Sequence, residues 1–137
     1  RQAFDNLDFP FNLKYHIIGD FDLVIRTALS WKIERIQEPC AHYRWHENNE
    51  SYKHKQLQIK EHESWNAEMI KHPVISSMDG FNKQTLQLIY MKAVFSINSQ
   101  NYLAAIKAFL QLPLSIEKIK LFFNILLPKF LLDFLKN

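Results

Sequence analysis

At 137 residues, 47% hydrophobic and 14% aromatic, the chain can bury a core, and disorder throughout is excluded. Two glycines are too few for a phosphate-cradling loop or a turn-dense all-β fold, and no G-x-G-x-x-G or Walker pattern occurs. The net charge of +3, carried by scattered Lys and Arg, argues against nucleic acid, and a single cysteine, Cys40, excludes an internal disulfide.

Residues 1–18 mix aromatics with turn formers (Asp5, Asn6, Asp8, Pro10, Asn12) and read as irregular structure. A helix is predicted from Gly19 or Asp20 to about Leu29, with Leu23, Ile25, Ala28 and Leu29 as its apolar side. Acids in its first turn suit the helix dipole. Lys32 to Gln37 alternates apolar and polar residues, and Ala41 to Trp45 is a second extended run. With Pro39 between them, they predict two short strands about a turn, Ile33 and Ile36 facing inward. Cys40 reads as a small buried residue.

From Ser51 to about Lys71 the pattern is helical, with a sparse apolar stripe of Leu57, Ile59, Trp65, Met69 and Ile70. Pro73 and the Ser76–Gly80 stretch mark a break. Gln84–Ile97 and Gln100–Leu110 then predict a helical hairpin, in which Leu88, Tyr90, Met91, Val94 and Phe95 face Tyr102, Ile106, Phe109 and Leu110. Ser115 can cap a last helix reaching Leu135, apolar almost all round and punctuated by Lys118, Lys120, Lys129 and Lys136. Its uninterrupted apolar run is too short to span a bilayer, and Pro128 kinks it. It suits either an interfacial anchor meeting anionic headgroups or packing on protein.

Two clusters carry chemistry. A carboxylate at a helix start, such as Asp20 or Asp22, stays ionised and can serve as a general base. The plainer alternative is that Asp20 caps and Asp22 pairs with Arg26 four residues on. In an extended Tyr43–Arg44–Trp45–His46, Arg44 and His46 share one side. A guanidinium grips phosphate oxygens, and an imidazole binds phosphate or a divalent metal. The alternative there is a half-buried strand with Trp45 in the core. Cys40, His42 and His46 lack a second ligand pair for zinc, and His54, His62 and His72 do not share a helix face.

The order Gly19–Asp20–Phe21–Asp22–Leu23–x–x–Arg26, then Glu38–Pro39–Cys40–Ala41–x–Tyr43–Arg44–x–His46–x–x–x–x–Ser51, resembles the C-terminal half of the catalytic domain of family 2 glycosyltransferases with a GT-A fold. The likeness runs from residue 9 to residue 51. It implies that Asp20 is the catalytic base of inverting transfer and that Asp22 binds the acceptor or supports its loop. It further implies that Arg44 and His46 meet the donor diphosphate, with His46 reaching the metal. Gly19 departs from the acid that usually precedes the base.

The family's nucleotide-binding half and its Asp-x-Asp motif precede this region and are not in these residues. Since the chain also opens at Arg1, the expectation is a truncated C-terminal portion of a GT-A α/β domain followed by a helical extension. Residues 1–50 would be the catalytic segment and 51–137 the extension, giving a mainly α fold with a small β element. The intact enzyme is expected to use Mg or Mn, a nucleotide-sugar donor and a glycan or lipid-linked acceptor. The fragment alone is expected to bind no cofactor and to be inactive. Its expected location is the cytoplasm or the cytoplasmic face of the inner membrane, where the last helix can meet the membrane surface. The competing reading is a helical protein-interaction or peripheral membrane-binding module without catalytic activity.

Overall fold

A computed structural model describes residues 11–44, 46 and 49–126. Among these residues the chain is mainly helical and forms no strand. The helices in order are α1 (Gly19–Ala28), α2 (Glu50–Lys53), α3 (Lys55–Met69), α4 (Pro73–Ser76), α5 (Asp79–Asn98), α6 (Tyr102–Gln111) and α7 (Ile116–Leu126). The expected small β element is corrected: 31–44 has no ladder, and Ile33, Ile36 and Cys40 are exposed. Alternation alone cannot hold a strand pair that lacks a third strand or a packed face. Trp45, the first ten residues and the tail from Leu127, including Pro128, Lys129 and Lys136, lie outside the described residues.

The chain divides into two compact units, 1–65 and 66–137, so the division falls inside α3. In the first unit, α1 begins where the sequence places it. Its N-cap residue, Ile18, supplies no side-chain cap. Asp20 Oδ1 instead accepts from Phe21 N–H at 2.7 Å, and a carboxylate on α3 holds the residues ahead of the helix, as described below. Tyr15, Ile18, Asp22, Ile59, Glu61 and Trp65 form the buried set. The helix predicted from Ser51 to Lys71 is interrupted at His54, whose backbone (φ −109°, ψ 41°) leaves the helical region and separates α2 from α3.

In the second unit, α5, α6 and α7 pack together around Ala93, Ala108, Leu112 and Leu121. Leu86, Ile89, Tyr90, Val94, Ile97, Phe109 and Ile125 close the core from its sides. α4 is a single turn with Pro73 in its first turn, capped by His72 Nδ1, which accepts from Ile75 N–H. The predicted facing of the hairpin is corrected on α6. Ala105 and Ala108 point inward, while Tyr102, Ile106 and Leu110 are exposed. Small residues let two helix backbones approach closely, and the core here is built on that approach. Ser115 caps α7 as predicted, its Oγ accepting from Lys118 N–H at 3.2 Å. Among the described residues no helix is long and apolar enough to cross a membrane.

The turn between α5 and α6 ends the first helix and starts the second within three residues, 99–101. Asn101 N–H donates to Ser96 O at 2.8 Å and Gln100 N–H to Ile97 O at 2.9 Å, the paired bonds of a Schellman end. Asn101 then caps α6, its Oδ1 accepting from Ala104 N–H. The left-handed residue that this geometry needs is Gln100, at φ 58°. A side chain there carries strain that glycine lacks. Gln100→Gly should therefore stabilise the chain by about 0.5–1 kcal/mol, net of the entropy glycine adds to the unfolded state. Chemical denaturation checks this, and a destabilised variant would contradict the strain.

Candidate functional site

The first unit is pinned by two buried carboxylates. Glu61 on α3 is 6% exposed and accepts three backbone N–H groups, from His16 (2.8 Å), Ile17 (2.8 Å) and Ile18 (3.1 Å). Those donors lie just ahead of α1, where unsatisfied N–H groups and the positive dipole end favour an anion. Glu61 thus fastens to α3 the three residues that lead into α1, with its charge near the helix's positive end. Asp22, 1% exposed, accepts from Arg26 Nε at 2.8 Å and from Trp65 Nε1 at 3.1 Å. Phe21 stacks edge-on against Trp65 (4.9 Å between centroids) and His62 (5.6 Å). Nearby, the buried Tyr15 hydroxyl bonds Ser64; burial, reinforced by Asp22 and Glu61, raises its pKa.

Beside this anchor lies a cleft of about 560 Å³, lined by His16, Ile17, Ile18, Asp20, Phe21, Tyr43, Asn49, Glu50, Ser51, Gln58 and His62. Asp20 reaches it from the first turn of α1, and one of its oxygens accepts from Phe21 N–H at 2.7 Å. Further lining comes from Glu50 and Ser51 on α2 and from Gln58 and His62 on α3. Glu50 Oε2 stands 3.6 Å from His16 Nε2 and 3.5 Å from His54 Nε2. Asn49 Nδ2 contacts the Tyr43 hydroxyl and the Arg44 carbonyl, both at 3.4 Å. Its backbone N–H donates to His46 O at 3.1 Å.

The residues singled out in the sequence therefore separate. Asp20, Tyr43 and Ser51 come together at the cleft, with Asp20 exposed. Asp22 makes the i,i+4 pair with Arg26, and both its oxygens are engaged in the interior. It supports α1 and presents no oxygen to an acceptor. Arg44 and His46 are exposed and do not line the cleft, to which their backbone carbonyls are tied through the Asn49 side chain and backbone N–H respectively. Among the described residues no three His, Cys, Asp or Glu side chains converge as a metal requires. His46 with its described neighbours does not fit a divalent-metal site, which needs several oxygen ligands.

Glu61 and His62 were not legible as site residues. Glu61 sits in a helix that also carries Glu63 and Glu68, so nothing local marks the one that is buried. His62 has its pKa lowered, first by burial and then by Lys55, against an opposing pull from Glu61. The unfolded chain then binds a proton that the native imidazole refuses, so stability falls as pH drops from neutral through the ordinary histidine range. The loss is complete below the depressed native value. His62→Gln should flatten this limb when denaturation midpoints are compared at about pH 7.5 and about pH 5.5. An unchanged slope would remove His62 from the account.

Compared with known protein families, curated proteins and solved structures, the chain matches none.

Proposed function

We propose that this chain forms the acceptor side of a glycosyltransferase resembling family 2, with Asp20 as the general base. The observation that carries the reading is the cleft, whose lining joins an exposed carboxylate with amide and hydroxyl side chains while its near neighbour Asp22 is locked inside. In this reading an acceptor hydroxyl sits against Asn49, Ser51 and Gln58 with its proton toward Asp20. The hydroxyl oxygen attacks the anomeric carbon of a nucleotide-sugar from the face opposite the diphosphate. A new C–O bond forms as the bond to the diphosphate breaks, and Asp20 receives the proton.

Arg44 and His46 stand outside the cleft and suit the diphosphate side, where a guanidinium and an imidazole offset leaving-group charge. No step is assigned to a metal, since the described residues do not make a site for one. The nucleotide-binding surface has to come from other residues, so these 137 alone are expected to be inactive. The test uses a chain that joins this sequence to a nucleotide-binding half. Asp20→Asn should lose sugar transfer and keep donor binding, and undiminished transfer would overturn the assignment.

A further inference from the structure

We infer that the cleft beside Asp20 accepts a neutral polyhydroxylated ring, an uncharged sugar unit, and turns away phosphorylated or carboxylated ones. The inference rests on the acceptor-side reading above and gives that acceptor its chemistry. The described lining residues include two carboxylates, Asp20 and Glu50, and no lysine or arginine. The place where an anion could otherwise be held, the N–H groups of His16, Ile17 and Ile18 ahead of α1, is already filled by Glu61. His16 does line the cleft, but its Nε2 lies 3.6 Å from Glu50 Oε2, so the carboxylate already stands against it.

What remains suits hydroxyl groups. Carboxylate oxygens accept O–H bonds, Asn49 and Gln58 bring amides (Gln58 with its Oε1 already accepting from Lys55 Nζ), and Ser51 donates or accepts. Ile17 and the Phe21 ring supply apolar surface for the C–H face of a sugar ring. His62 stays neutral near pH 7 because burial lowers its pKa, so it adds a donor or an acceptor and no positive charge. An incoming phosphate would meet two like charges in the lining, and the nearby cation, Lys55, is held on Gln58 Oε1 at 2.9 Å and does not itself line the cleft.

The experiment titrates the 137-residue chain with neutral methyl hexopyranosides and with the same sugars as 6-phosphates, following backbone amide shifts. A neutral glycoside should shift the amides of Asn49, Ser51 and Gln58, and its phosphate should bind about tenfold more weakly. The Asn49→Ala, Gln58→Ala double variant should lose the neutral ligand. The Asp20→Asn, Glu50→Gln double variant should narrow the gap between the two ligands. Equal or tighter binding of the phosphates, or no shift at these amides with any neutral glycoside, overturns the inference. A phosphate preference would leave the role of Asp20 as base standing. That role fails separately, if the Asp20→Asn enzyme still transfers sugar.

Discussion

Glu61→Ala should destabilise the first unit by about 3–5 kcal/mol, the largest stability effect expected of any single substitution here. The carboxylate accepts the N–H groups of His16, Ile17 and Ile18, and removing it leaves those donors with no protein acceptor in a site where the Ile18 donor is buried. Hydrogen bonds to a charged group contribute about 1.5–3 kcal/mol each, and water entering the gap can restore only part of that. Glu61→Gln should fall between wild type and Ala. Its one carbonyl oxygen can keep the pair at Ile17 and Ile18, but its NH₂ then faces the His16 donor.

Because the chain has two units, a single melting curve can hide a loss confined to one of them. Hydrogen exchange locates it: the amides of Ile17 and Ile18 should lose protection in Glu61→Ala, while Ala93 and Ala108 in the other unit should not. A loss below about 1 kcal/mol, with Ile17 and Ile18 still protected, would mean that the carboxylate is dispensable. The consequence for function is direct. Asp20 lies two residues after Ile18, so the anchor that satisfies these donors also sets where the candidate base points.

That anchor also marks where sequence reasoning reached its limit. Signals whose partners lie within one helical turn were legible: the start of α1, the Asp22–Arg26 pair four residues apart, the Ser115 cap. Glu61 was not, since its acceptor role depends on backbone groups 43 to 45 positions away along the chain. The inward face of α6 was ambiguous for a different reason. Large apolar residues occupy one side (Tyr102, Ile106, Leu110) and small ones the other (Ala105, Ala108), and hydrophobicity alone favours burying the large side. Close approach to α5 and α7 decides for the alanines instead. The alternation across Lys32–Gln37 misled because period two shows only that a strand could have one buried face. It cannot show that a sheet exists to receive it.

Of the carboxylates that the sequence placed side by side, Asp20 and Asp22, only one should behave as a base, and their substitutions should fail differently. In a chain joined to a nucleotide-binding half, Asp20→Asn should lower sugar transfer about 10²–10⁴-fold, the range expected when a positioned general base is removed. Its side chain is exposed and accepts from the neighbouring Phe21 N–H, which an asparagine oxygen can also do, so folding and donor affinity should hold. The fall should appear in kcat and kcat/KM together, because the proton moves only as the acceptor attacks. Asp22→Asn, by contrast, replaces a buried carboxylate paired with Arg26 and bonded to Trp65 Nε1. It should lower stability, and whatever folded enzyme remains should keep its pH profile. If Asp20→Asn instead loses less than about tenfold in transfer, the base lies elsewhere and the cleft serves only to bind the acceptor. If Asp22→Asn removes transfer from a fully folded enzyme, the separation of roles between the two acids fails, because a residue so enclosed could then act only through a rearranged α1.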